Sequence, residues 1–269
     1  MSVDWSGLRG LLIDLDGVVY TGREPIPGAA AFLAKARRHG LNLLLVTNNS
    51  TASPESVAER LHGMHIGVLP REILTSAQAA AAYVRAHATA GASVRIIGEA
   101  GLRQAVAEVG LTVADAGEVT PGWVIAGLDR DFDYAKLTCA TRAILAGARF
   151  VATNADALLP VEGGQVIPGA GSIVAAIQTA TAVVPIVVGK PERGLFEHGL
   201  HRLGDLRPEQ VAMIGDRVDT DVVGGQRAGL HTILVLSGVT SAAEAAAASS
   251  QPDAISPDLA GVARLFHWD

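Results

Sequence analysis

Short apolar runs punctuate the chain at Gly10–Ile13, Leu41–Val46, Val94–Ile97, Trp123–Ala126, Phe150–Ala152, Pro185–Val188, Val211–Ile214 and His231–Leu236, and most of them stop at a polar or glycine-rich turn. Between them lie longer, Ala-rich stretches with helical spacing: Ala29–His39, Pro54–His62, Gly101–Val109, Tyr134–Ala146, Gly171–Ala180, Glu192–Leu203 and Asp219–Ala228. Strand–helix alternation of this kind predicts an α/β protein with a parallel sheet covered on both faces by helices. Many of the apolar runs lack a period of two, as strands buried on both sides do. No internal repeat and no long Pro/Ser linker is present. Two crossings suggest themselves, around Thr75–Ala82 and Thr179–Pro185, and they enclose about 100 residues, the size of a small second α/β domain. The Ala-rich segment Ser241–Ser250 reads either as the start of a surface helix or as a mobile loop.

Composition narrows the class. Of 269 residues, 49% are hydrophobic but only 4% aromatic, which fits a sheet under Ala-rich helices better than a platform for stacking bases. A formal charge of −6 with no basic run of five argues against a nucleic-acid partner. Cys139 is the single cysteine, so no internal disulfide can form, and a reducing cytoplasmic setting is expected. Within its helical pattern Cys139 reads as a buried structural thiol. His62 and His65 lack a metal-ligand pattern and read as surface residues. The apolar run Leu11–Ile13 is cut short by Asp14 and Asp16, so no targeting signal is expected. The longest apolar tract, Ile173–Val188, is broken by Gln178, Thr179, Thr181 and Pro185 and falls short of the ~20 residues that span a bilayer. The expectation is a soluble protein with no membrane partner.

Candidate chemistry sits at the ends of the apolar runs, where ligands bind in open α/β sheets. Asp14-Leu15-Asp16-Gly17 follows the first run; two carboxylates two positions apart at a strand end can face the same side, and Gly17 allows a sharp turn. Taken alone, the pattern is equally a strand-end turn with solvated acids. Thr47-Asn48-Asn49-Ser50 follows the second run and offers a hydroxyl, amides and backbone N–H groups as a phosphate cradle. The competing reading is an ordinary helix cap ahead of Pro54. Gly215-Asp216-Arg217-Val218-Asp219-Thr220-Asp221 follows Val211–Ile214. Asp219 fits a helix N-cap, but three acids in six positions exceed what a cap needs. Asp216 is the better placed for a metal, with Asp221 supporting it. Lys190 follows Ile186–Val188; beside a carboxylate cluster it would offset repulsion and pair with a phosphate oxygen.

Together, in this order, these motifs resemble the haloacid dehalogenase-like (HAD) superfamily. Asp14–Tyr20, Thr47–Ser50, Pro168–Ser172 and Val188–Pro191 are similar to its NagD/4-nitrophenylphosphatase group, and Gly127-Leu128-Asp129-Arg130 with Tyr134 resembles that group's C2-type cap. The resemblance implies a Rossmann-like, doubly wound parallel core at residues 1–78 and 183–269, with an inserted smaller α/β cap at 79–182. It implies a Mg²⁺-dependent phosphatase acting on a small phosphorylated metabolite. Asp14 would be the nucleophile forming an aspartyl-phosphate, and Asp16 the general acid and base. Mg²⁺ would be held by the Asp14 and Asp216 carboxylates and the Asp16 backbone carbonyl, with Asp221 orienting metal-bound water. Thr47 and Lys190 would hold the phosphoryl oxygens. Such a cap is mobile, closes over the site and supplies substrate contacts. Asn48 and Asn49 are the expected core contacts to substrate. Leu159 stands where pyridoxal-phosphate-selective relatives carry a histidine, which disfavours that substrate. Asp129 and Asp156 are read as serving the cap's own structure. A phosphate-binding regulatory protein and a phosphotransferase on the same fold are the alternative functions. Oligomeric state stays open, with a homodimer through the cap as the option that related proteins suggest.

Overall fold

The computed structural model describes residues 4–114, 120–160 and 165–268. The chain divides into two compact units. One comprises Met1–Thr47, Pro54–Leu74 and Lys190–Asp269, and the other Asn48–Ser53 and Thr75–Gly189.

The first unit is built on a six-stranded sheet in the order Ala254–Ser256, His231–Val235, Val211–Gly215, Gly10–Asp14, Asn42–Thr47, Ile73–Thr75. The ladders that join Ala254–Ser256 through to Asn42–Thr47 are all parallel. Leu11, Leu12, Ile13, Leu44, Leu45, Ile214, Ile233 and Leu234 are buried on both faces, which is why these runs carry no polar alternation. Helices Ala29–Arg38, Pro54–Gly63, Arg193–Arg202 and Leu259–Leu265 belong to this unit. Successive strands step outward from Gly10–Asp14 in one direction, and the later strands step outward from Val211–Gly215 in the other. The switch point of the sheet therefore lies between these two central strands, and both run toward it with their carboxyl ends on the same edge.

The second unit has its own five-stranded parallel sheet, in the order Ile186–Val187, Arg149–Ala152, Trp123–Ala126, Ser93–Ile97, Thr112–Val113, plus an antiparallel hairpin of Leu158–Pro160 with Val166–Pro168. Val124, Ala126, Ile144, Phe150, Ile173 and Ile177 form part of its core. The α/β reading with a parallel sheet thus holds in both units. All eight apolar runs lie on strands.

The structure refines several local readings and corrects others. The chain passes from the first unit to the second between Leu74 and Thr75, where Thr75 and Gln78 form a reciprocal capping box that starts the helix Ser76–His87. Of the two readings of the Ala-rich segment after Ser241, the helix holds: Ala242–Ala247, again started by a capping box, here with Glu244. Asp219–Ala228 is not one α-helix; the chain first makes a wide π-type turn at Val218–Val222 and then an α-helix at Val223–Arg227. Arg217 is the residue ahead of that turn, and Asp219, inside its first turn, pairs with the Arg217 guanidinium at 2.7 Å. Cys139 is half-buried rather than buried. Among the described residues, no helix is long and apolar enough to cross a membrane.

The turn after Asp14 depends on Gly17. Its φ of +79° is a left-handed conformation, and a Cβ there would collide with the Asp216 carboxylate and come within 3.0 Å of the Gly238 backbone. Gly17→Ala is expected to cost about 2–4 kcal/mol, from the φ penalty and the overpacking together. Urea denaturation of the variant checks this; an unchanged midpoint contradicts it.

Candidate active site

The candidate residues in the first unit gather at the switch point. Asp14 ends its strand level with Val46, and Thr47, which is buried, follows directly on the neighbouring strand. On the other side Ile13 pairs with Ile214, so Asp216 emerges two residues on, across from Asp14. Lys190, only 3% exposed, lies among them. Its ammonium donates to Asp14 Oδ1 at 2.8 Å and to Asp221 Oδ1 at 2.7 Å.

The acids are held from the backbone as well. Asp221 Oδ2 accepts from the Arg217 N–H at 3.1 Å, inside the π-type turn. Gly215 leaves room for this, since a Cβ at that position would collide with the Asp221 carboxylate. Asp216 Oδ2 accepts from the Val239 N–H at 2.6 Å, and Gly238 beside it has no space for a side chain. Among the described residues, Asp216 Oδ1 is buried and has no hydrogen-bond partner. Asp14, Asp216 and Asp221 each offer one oxygen within 4.8 Å of the others. Three hard oxygen donors at this spacing, one of them buried and unsatisfied, fit a divalent cation of the Mg²⁺ type.

Burial pushes Asp14, Asp216 and Asp221 each up to about 6, with the neighbouring acids adding to the effect while Lys190 opposes it. Burial would pull Lys190 down, but Asp14 and Asp221 outweigh it and hold the ammonium above its ordinary range. Asp16 remains exposed, yet the protein crowding around its carboxyl raises it, against the pull of the Tyr20 hydroxyl and of Arg60 and Lys190. The Tyr20 hydroxyl donates to Asp16 Oδ2 at 3.1 Å. Burial and the neighbouring carboxylates raise Tyr20 well above the usual phenol range, so it stays a donor.

The remaining candidates lie in the second unit. Asn48 donates its amide to Asp156 Oδ2 at 3.0 Å, and its carbonyl accepts from Asn154 and Ser76. Asn49 Oδ1 accepts from both the N–H and the hydroxyl of Thr51, a local Asx-type turn. Leu159 packs on that unit's apolar core. Asp129 is buried and takes both its oxygens to Lys136, at 2.8 and 2.9 Å. Asp129 and Asp156 thus brace their own unit.

Motif reading missed Tyr20, Arg60 and the Gly238–Val239 backbone. Tyr20 was part of the quoted motif but reads as one more apolar strand residue. Arg60 and Val239 reach the site only through the fold, and no local signal marks them.

Comparison with known proteins bears on the family of the chain. A family model described as haloacid dehalogenase-like hydrolase matches residues 11–112, and a second, HAD-hydrolase-like, matches residues 187–262. An acid sugar phosphatase of Staphylococcus haemolyticus is 41% identical over 93% of this chain and 94% of its own length. Among solved structures, a glycerol phosphate phosphatase from Mycobacterium tuberculosis in complex with magnesium superposes with a TM-score of 0.88 at 40% identity, covering 96% of this chain and 77% of that one. NagD from E. coli K-12 gives 0.86 at 31% identity, covering 94% and 97%. On its fold, its motifs and these likenesses together, the chain belongs to the haloacid dehalogenase-like hydrolases, among their NagD-like phosphatases.

Proposed function

We propose that this chain is a Mg²⁺-dependent phosphatase that hydrolyses small phosphate monoesters through an aspartyl-phosphate on Asp14. The observation that carries the reading is the buried, unpartnered Oδ1 of Asp216 beside Asp14 and Lys190. An Asp14 oxygen attacks phosphorus as the bond to the leaving oxygen breaks, and Asp16 gives that oxygen its proton. Asp16 then takes a proton from the water that attacks phosphorus, freeing Asp14 and phosphate. Thr47 and Lys190 hold phosphoryl oxygens, and Lys190 also keeps Asp14 in place. Asp14, Asp216 and the Asp16 carbonyl would hold Mg²⁺, which when bound offsets the charge of the acids and of the phosphate.

The substrate class we propose is sugar and polyol phosphates. The names of the relatives, an acid sugar phosphatase and a glycerol phosphate phosphatase, support it. Residues 79–182 are assigned to specificity, with Leu159 giving an apolar contact where a histidine would favour pyridoxal phosphate, and Asn48 and Asn49 meet the substrate beyond its phosphate. A cytoplasmic setting fits the single cysteine.

Asp14→Asn is expected to lower phosphate release from sugar phosphates by on the order of 10³-fold or more, with Mg²⁺ present. Wild-type rates in that assay overturn the assignment of the nucleophile. A second expectation follows from the raised acids. A carboxyl whose pKa is about 6 in the fold, against 3.8 in the open chain, keeps its proton more readily when folded. Its stabilising effect is therefore fully present below about 3.8, shrinks as pH rises above that value, and is lost once pH passes through about 6. A cation replaces the lost protons only above that point. A few millimolar Mg²⁺ should raise the melting temperature markedly at about pH 7.5 and little at about pH 5. Equal shifts at both pH values contradict the metal site.

A further inference from the structure

The turn that follows Asp14 folds back on itself. The N–H groups of Val18, Val19 and Tyr20 all converge on the Leu15 carbonyl, at 3.3, 2.8 and 3.2 Å, and the Gly17 N–H donates to the Tyr20 carbonyl at 2.8 Å. This winding returns Tyr20 to Asp16, with which it forms an isolated β-bridge. The Tyr20 ring is 3% exposed, and its hydroxyl ends on Asp16 Oδ2 at 3.1 Å. Arg60, from the helix Pro54–Gly63, lies over the ring with its guanidinium carbon 4.4 Å from the centroid, and it donates to the Gly22 carbonyl at 2.6 Å. One arginine therefore clamps both the aromatic face and the turn that carries it.

We infer that Tyr20 is a positioning residue for Asp16, and that Arg60 holds Tyr20 in place. The inference rests on the reading of Asp16 as the general acid. A carboxyl group has two oxygens and can rotate about its bond to Cβ. A donor fixed on Oδ2 makes that oxygen the acceptor, so the proton to be delivered sits on Oδ1. As the bond from phosphorus to the alcohol oxygen breaks and the bond to Asp14 forms, the proton passes from Asp16 Oδ1 to the departing oxygen. Without the hydroxyl, Asp16 keeps its chemistry but loses its aim, and misplacement of a group by a fraction of an ångström slows proton transfer severalfold or more.

A structural role and a positioning role separate on the leaving group. A sugar or glycerol alkoxide leaves poorly without a proton, whereas nitrophenolate leaves well without one. The quantity to read is kcat/KM, which covers the steps up to formation of the phosphoenzyme and excludes the later attack of water. In the Mg²⁺-loaded enzyme, Tyr20→Phe should lower kcat/KM for glycerol phosphate about tenfold or more while changing that for p-nitrophenyl phosphate by less than about threefold. Arg60→Met should give a smaller split of the same direction, and it serves as the test should Tyr20→Phe fail to fold. Equal losses on both substrates, or no loss on either, overturn the inference. Asp16→Asn separates it from the reading beneath it. If Asp16→Asn shows the split and Tyr20→Phe does not, the positioning role alone falls. If Asp16→Asn shows no split, the general-acid reading falls and the inference with it.

Discussion

Lys190 holds Asp14 at 2.8 Å and Asp221 at 2.7 Å in a buried site that also contains Asp216. The rest of the site is arranged around this one ammonium. Two carboxylates 4.8 Å apart repel by roughly 3–4 kcal/mol at an effective dielectric of about 20, and three of them would not stay ionised together unaided. One lysine offsets part of that repulsion. It leaves two formal negative charges where a phosphorylated substrate would have to enter, so charge compensation from outside the chain is a physical requirement of the site. Removing the lysine would leave buried acids without a partner, which is costlier than never having built the pair.

The sheet explains why these groups meet although more than 200 residues separate Asp14 from Asp216 in the chain. Their strands are neighbours in the middle of the sheet, parallel and in register from Gly10 with Val211 to Ile13 with Ile214. Parallel strands end on the same edge, so acids placed just beyond both strand ends face each other. Thr47 arrives by the same logic from the strand on the other side of Asp14. Three glycines complete the arrangement from the outside. Gly17, Gly215 and Gly238 each leave the space that the Asp216 or Asp221 carboxylate fills.

The sequence made the sheet and the acids readable because both follow from chain-local patterns: continuous apolar runs for strands covered on both faces, and charges directly after them. Lys190 was readable for the same reason. Tyr20 was not. Its meaning depends on a turn wound about the Leu15 carbonyl that brings an apparently apolar residue beside Asp16, and on Arg60 arriving from a helix about 40 residues away. The π-type turn at Val218–Val222 was equally hidden, since its residues fit an ordinary helix start. Within that turn the Asp221 carboxylate meets the Arg217 N–H four residues back and also Lys190, 31 residues away, and the second of these contacts has no mark in the local sequence. Conversely, the capping boxes at Thr75 and Ser241 were written in the sequence, with Gln78 and Glu244 three residues on.

Proximity alone would make Asp14, Asp216 and Asp221 equivalent donors, but their hydrogen bonds set them apart. Both oxygens of Asp221 are already engaged, one by a buried ammonium and one by a backbone N–H. A cation would have to compete with partners that cost several kcal/mol to displace in a buried site. Asp216 is the opposite case. Its Oδ2 is anchored by the Val239 N–H, which fixes the direction of the carboxylate, and its Oδ1 is enclosed by protein with no donor to meet it among the described residues. Natural folds rarely leave a buried carboxylate oxygen unsatisfied, because the desolvation cost is paid without return. An oxygen that is aimed, buried and unmet is therefore the one suited to bind a metal directly, whereas the oxygens of Asp221 are spent on Lys190 and the Arg217 N–H.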